Sequence, residues 1–310
     1  MVKVFLLIIV GVAGTPEHGE LFHKWGASLA ESSERLGVGK ERLIYLVDQP
    51  GEVDKRATGR ATKEEVTKAL ERVAKESGPD DQVYIMLMGH GDFDGRTAKF
   101  NLVGPDMSAA DFGALVGKLP AKQVVFVDTS AASGPFVEAL SGPGRTIVTA
   151  TRNGAEKYTP LFGGLFVDAL TSDAADADKN KRISVLEAFL YAKTEVERAY
   201  KRQGLIQTEH ALLDDDGDKE GSQAPAMNGK DGKVASILSL GSVDDTKTPS
   251  DPKVAALYLE RRELERQVEN LRLLKDGMDP ARYQAELERL VTELARKTRE
   301  LREAEEAAKK

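Results

Sequence analysis

Five short apolar runs, separated by amphipathic stretches, occupy the first two thirds of this 310-residue chain and limit what it can fold into. They are Val2–Val10, Arg42–Val47, Gln82–Met88, Gln123–Val127 and Thr146–Thr151. Each is a strand in length and lacks the polar alternation of a half-solvated sheet, so both of its faces need a cover. Helical patterns lie between most of them, which predicts a mainly parallel α/β sheet flanked by helices. The longest run, Val4–Ala13, falls short of the roughly 20 residues a bilayer span needs, so no membrane span is expected. With Lys3 before it and Val12-Ala13-Gly14 after it, the run also fits a compact signal-peptide core. A buried first strand is the better reading, because the helical pattern of His18–Leu36 follows directly.

Helix starts are well marked. Thr62-Lys63-Glu64-Glu65 reads as a capping box, and the helix it opens should run to about Ser77, where Gly78-Pro79-Asp80 ends it. From Asp214 to Ser250 the chain is rich in Asp, Gly, Lys and Ser and reads as loop and linker, with Val234–Leu240 able to add a short element. Residues 253–310 differ in kind. Val254, Leu257, Leu264, Val268 and Leu271 keep heptad spacing, as do Tyr283, Leu287, Leu290, Leu294 and Leu301. Between the two series stand Gly277 as a stop, Asp279 as N-cap and Pro280 at the first helical position. The organisation expected is one α/β domain over 1–240, a linker over 241–252, and a C-terminal helical hairpin that folds on itself or self-associates with a second copy.

The formal charge is −7. The tail carries 14 acids and 14 bases over residues 251–310, so the whole imbalance lies in the first 250 residues. Acids and bases are interspersed, with no basic stripe to track phosphates, and nucleic acid is excluded as an expected partner. The chain has no cysteine, which removes disulfides, thiolate metal sites and thiol nucleophiles.

In open α/β sheets ligands bind beyond the carboxyl ends of the strands. "VYIMLMGHGDFDG" delivers His90 between two glycines off one strand, and "VVFVDTSAASG" delivers Asp128, Thr129, Ser130 and Ser133 off the next. Glycines beside a histidine let a substrate backbone approach the imidazole, and a small-residue turn can aim a nucleophile and amide donors at one carbonyl. By itself one His-Gly pair is as well explained by a turn histidine bonded to its own loop. Gly11-Val12-Ala13-Gly14 lacks the full glycine fingerprint of a nucleotide-binding turn.

The order of these motifs resembles the legumain-like cysteine peptidases of the caspase-type fold, and bacterial members in particular. The resemblance extends through "GPGRTIVTATRNGAEK", "LFGGLFVDAL", "DADKNKRISVLEAF" and "TEHALLDDDGDKEGS", covers roughly residues 1–240 and leaves the helical tail outside. It implies a caspase-like sheet, His90 as acid/base with Gly91 beside it, and a nucleophile two residues before Ser-Gly. Counting back from Ser133-Gly134 puts the nucleophile at Ala131; counting forward from Asp128-Thr129 puts it at Ser130. Neither is a thiol, and a serine needs a well-oriented base and usually a third group, for which Asp92 and Asp128 are the near candidates. Asp128, Arg152 and Asn153 are the implied substrate-binding residues, although Arg152 and Asn153 equally read as a helix-leading loop. The resemblance requires no cofactor and tilts location towards the periplasm or exterior.

A second signal is independent of the first. Asp176, Asp178, Asn180, Ser184 and Glu187 stand at positions 1, 3, 5, 9 and 12 of an EF-hand-like loop, with the Arg182 carbonyl at position 7 and Ile183 at position 8. That spacing suits calcium. Lys181 departs from it by replacing the turn glycine, and Ser184-Val185-Leu186-Glu187 is also a capping box. Asp214, Asp216 and Asp218 alternate too, but without a closing glutamate they read as a solvated acidic loop. The expected function is a pseudopeptidase that binds a peptide or protein. The alternative is an endopeptidase cleaving after Asn or Asp, through a His90–Ser130 dyad or in a parent whose cysteine was replaced by serine.

Overall fold

The computed structural model describes residues 2–51, 54–154, 156, 160–180, 182–240, scattered positions between 251 and 271, and 278–308. Two compact units result, Met1–Val243 and Asp244–Lys310. The first is built on β1 (Val4–Val10), β2 (Leu43–Val47), β3 (Gly59–Arg60), β4 (Gln82–Met88), β8 (Gln123–Asp128), β9 (Arg145–Thr149) and β10 (Leu212–Asp214). These form one seven-stranded sheet in the order β10-β9-β8-β4-β1-β2-β3. All neighbours are parallel except β10, which runs antiparallel to β9. A separate three-stranded sheet follows β4: β5 (Gly91–Phe93), β6 (Ala98–Phe100) and β7 (Met107–Ser108). The five expected strands form within one or two residues of their apolar runs. β3, β10 and the small sheet have no counterpart among those runs.

Strand pleat sends alternate side chains to opposite faces. On β1, Leu6, Ile8 and Val10 enter a core with Phe22, Trp25 and Leu29 of α1 (Pro16–Ser32), Phe162 and Phe166 of α5 (Phe162–Thr171), and Phe189 of α6 (Val185–Gln203). Phe5, Leu7 and Ile9 enter the other core, with Val66 and Leu70 of α2 (Lys63–Glu76), Phe112 of α3 (Ala109–Val116) and Phe136 of α4 (Phe136–Leu140). Phe126 on β8 anchors the second core, with its ring 5.5 Å from that of Phe112 and 6.2 Å from that of Phe136.

The caps explain the helix boundaries. Thr15 accepts the His18 amide, so α1 starts two residues before the expected His18 and ends at Ser32 rather than Leu36. At α2, the Thr62 hydroxyl accepts the Glu65 amide at 3.2 Å, while the Glu65 carboxylate pairs with Lys68 at 3.0 Å. Only the Thr62 half of the expected box is therefore seen among the described contacts. The box at Ser184 and Glu187 forms in full. Val234–Leu240 makes turns and a single bridge, Ser239 to Ser184, rather than a strand or helix.

In the second unit, α7 (Pro280–Ala308) starts at Asp279, whose Oδ1 accepts the Arg282 amide at 2.9 Å. Described positions among 254–271 are also helical. Val268, Leu271 and Leu290 share a buried cluster edged by Leu264, Tyr283 and Leu287, and Lys297 pairs with Glu260 at 2.5 Å. The expected stop at Gly277 and most of the expected linker lie outside the described residues. Among those described, no helix is long and apolar enough to cross a membrane. Phe126→Ala should lower unfolding free energy by about 3–5 kcal/mol, measured by urea denaturation, because it empties the centre of a close-packed aromatic cluster.

Candidate functional site

Parallel pairing aligns three strand ends. Leu87 pairs with Asp128 and Asp128 with Thr149, so the chain leaves β4, β8 and β9 along one edge. Beyond β4 come Gly89, His90 and Gly91. A Cβ on Gly89 would lie 3.0 Å from the Phe100 ring and 3.3 Å from the Gly11 backbone. One on Gly91 would lie 2.7 Å from both the Lys99 carbonyl and Ser130 Oγ. Gly91 therefore needs glycine for close approach rather than for an unusual φ, and Gly89 is a tight fit.

The His90 imidazole is half-buried. Its ring meets His18 edge-on at a centroid separation of 4.7 Å and Phe22 at 5.1 Å, and it hydrogen-bonds the Ala13 backbone. Burial, and then the neighbouring His18, hold its pKa below the usual histidine value, so the ring is neutral at neutral pH. Among the described residues, no hydrogen bond joins His90 to Ser130.

The turn after β8 is organised by buried polar groups. Asp128 is fully buried; its Oδ1 accepts the Ser130 amide at 2.8 Å and its Oδ2 has no hydrogen-bond partner. Ser130 is also fully buried, with Oγ against Gly91 and without a hydrogen bond of good geometry. Ala131 is partly buried and is the least buried residue of the 128–134 turn. Ser133 is committed to scaffolding: its Oγ accepts the Ala150 and Thr151 amides at 3.1 and 3.2 Å and contacts the Thr151 hydroxyl at 3.0 Å. Gly134 lies flat on the next strand end, since a Cβ there would come within 2.4 Å of Arg152 and Asn153 backbone atoms.

Arg152 and Asn153 are exposed at this same edge. Arg152 Nε lies 3.5 Å from Glu156 Oε1, which also holds His210 Nδ1 at 2.8 Å. The structure thus gathers His90, Gly91, Asp128, Ser130, Ala131, Arg152 and Asn153 along one edge. It adds His18, Glu156 and His210, which sequence reasoning missed. A signal existed: the chain has four histidines, and His23 too reaches a strand end, pairing with Asp48 just after β2 at 2.7 Å. Shallow concavities on the surface flank α2 around Lys75 and do not extend to these strand ends.

The expected calcium loop gathers its acids. Oxygens of Asp176, Asp178 and Glu187 lie within 4.8 Å of one another, close enough for one metal ion. Asn180 is tied to Asp178, its side-chain amide donating to Oδ2 at 2.8 Å, and its own Oδ1 accepts the Arg182 amide at 2.8 Å. Ser184 instead serves the cap, donating its hydroxyl to Glu187 Oε2 at 2.7 Å. A left-handed turn falls at Lys179, with φ 57°; Lys181 lies outside the described residues. Asp214, Asp216 and Asp218 form a second such group.

No protein-family model matches the chain, and no curated protein matches it. Its structure is similar to a crystal structure of a Geobacter sulfurreducens protein solved as a structural-genomics target. The identity is 13% and the TM-score 0.43, over 76% of this chain and 99% of that one.

Burial pushes the Asp128 carboxyl up to about 7, with the Ser130 amide and hydroxyl pulling the other way. A carboxyl raised on folding binds more protons in the native state, so its stabilising effect is present at low pH and lost as pH rises through the folded pKa. Asp128→Asn should therefore gain stability relative to the parent progressively from about pH 4 to about pH 7, read from urea midpoints across that window.

Proposed function

We propose that this chain is a pseudopeptidase of the legumain-like group, binding a peptide or protein segment at its strand-end edge without cleaving it. The observation that carries the reading is the division of labour in the turn after β8. The residue reaching the surface is Ala131, which has no nucleophilic atom, whereas the Ser130 hydroxyl is buried and unconnected to His90. A working nucleophile needs access to the carbonyl and a base about 2.6–3.2 Å away. What remains suits recognition. A neutral His90 that donates its N–H to the Ala13 backbone keeps its other ring nitrogen as an acceptor, and Arg152 and Asn153 offer a guanidinium and an amide to an acidic or amide side chain.

The test is hydrolysis of fluorogenic peptides with Asn or Asp before the cleaved bond. The protein and its His90→Ala variant should both match the blank, while Ala131→Cys should be alkylated at least about tenfold faster than Ser130→Cys. Turnover by the parent that His90→Ala abolishes would establish the endopeptidase reading instead.

A second reading concerns the Asp176–Glu187 loop, whose three converging carboxylates support calcium as its ion. Asp176, Asp178 and Glu187 would supply charge, with Asn180 and the Arg182 carbonyl as further oxygens, while Ser184 stays with the helix cap. Millimolar calcium should raise the melting temperature of the protein, and Asp178→Asn should reduce the rise; an unchanged rise would remove this loop as the cause.

A further inference from the structure

The acidic turn after β10 differs from a solvated loop in one respect. Asp214 is the last residue of β10, pairs with Ile147 across the edge of the sheet, and is only 1% exposed. Its Oδ1 accepts the Gly217 amide at 3.1 Å, while its Oδ2 is buried and makes no hydrogen bond of good geometry. A buried carboxylate oxygen left unmatched is costly, and such atoms in native proteins call for a proton, a water or an ion. Exposed Asp216 and partly buried Asp218 bring oxygens to within 4.8 Å of Asp214 and of each other. Gly217, at φ 82°, lets the turn fold tightly enough for the alternate carboxylates to converge.

More negative charge stands behind them. Asp215 is 6% exposed, and its carboxylate accepts the Gly232 and Ala235 amides at 2.9 and 2.7 Å. Asp231 is 3% exposed and accepts the Asp215 amide at 3.1 Å. The Ser141 hydroxyl stands beside Asp214 and accepts the Lys219 amide at 3.0 Å. Lys230 contacts Asp218 and lies 3.9 Å from Glu220, at the exposed end.

We propose that Asp214, Asp216 and Asp218 bind a divalent cation, calcium by preference, which clamps the β10 turn. Carboxylates alone make a hard oxygen site, and convergence around an ion at 2.3–2.6 Å from each ligand is the calcium pattern. The clamp would reach beyond the turn. Asp215, on the same turn, holds amides of the 232–235 segment. That segment continues to α6, where the Leu238 carbonyl accepts the Val185 amide at 2.7 Å and the Ala235 carbonyl accepts the Leu186 amide at 3.0 Å. The inference stands independently of peptide binding and of the Asp176–Glu187 loop.

Calcium and magnesium titrations of the full chain, by calorimetry and thermal melts, test it in an Asp178→Asn background that silences the other loop. One calcium should still bind, more tightly than magnesium. Asp216→Asn, at an exposed position that does not threaten folding, should weaken binding by about tenfold or more. Lys230→Met should tighten it about two- to fivefold by removing a competing ammonium. Asp214→Asn should raise the melting temperature in chelator and lose the further rise with calcium. Loss of all binding with Asp178→Asn alone, or residual binding that Asp216→Asn and Lys230→Met leave unchanged, would overturn the proposal. Binding identical in the parent and the Asp178→Asn variant would instead remove the other loop and leave this one.

Discussion

The central strands have no face to give to water, and the rest of the first unit follows from that. β1 and β4 lie inside the sheet with nearly every side chain buried, so each must be covered from above and below. Leu6, Ile8 and Val10 draw α1, α5 and α6 to one side, while Phe5, Leu7 and Ile9 draw α2, α3 and α4 to the other. Crossover connections keep successive strands parallel, and parallel strands end together. The gathering of His90, the 128–134 turn and Arg152 at one edge is thus a by-product of how the core is satisfied.

Buried carboxylates then organise the loops at the sheet margins. Glu209, 3% exposed, accepts the Leu161 and Phe162 amides at 3.0 Å each and so serves the start of α5. Asp81 accepts the Lys3 amide at 2.7 Å and the Gly78 amide at 2.8 Å, joining β1 to the turn before β4. Asp128 and Asp215 do similar work at the ends of β8 and β10. Each supplies acceptors to amides that would otherwise be stranded, and charge-assisted bonds of this kind are stronger than neutral ones. The cost is desolvation, visible in the raised pKa of Asp128, Asp214, Asp215, Asp231 and Glu209.

Much of this was legible in the sequence, for physical reasons that also mark where legibility stops. The strands were readable because double-sided burial imposes continuous apolar runs, and Thr62, Ser184 and Asp279 were readable because caps are local. The choice between Ser130 and Ala131 was not, since which residue of a tight turn reaches the surface depends on how the turn packs against Gly91 and the 152–153 backbone. His18, Glu156 and His210 come from segments far apart in sequence, and only the folded chain brings each of them to the strand ends. The burial of Asp214 is not legible in the sequence for a similar reason. Its neighbours are loop-like in composition, but pairing of Leu212–Asp214 with β9 draws it into the sheet.

That pairing bears on how the chain is made. β9 presents the apolar segment Arg145–Thr149 on one side to β8, and its other edge is closed only by Leu212–Asp214, about sixty residues later. During synthesis at about 5–20 residues per second, that edge stays open for roughly 3 to 13 s. The turn after β10 is in its turn braced by Asp231 and the 232–235 segment. A nascent chain stopped before residue 231 would carry a hydrophobic strand edge whose cover has nothing behind it, which makes this stretch the natural point for a chaperone to intervene or for aggregation to begin.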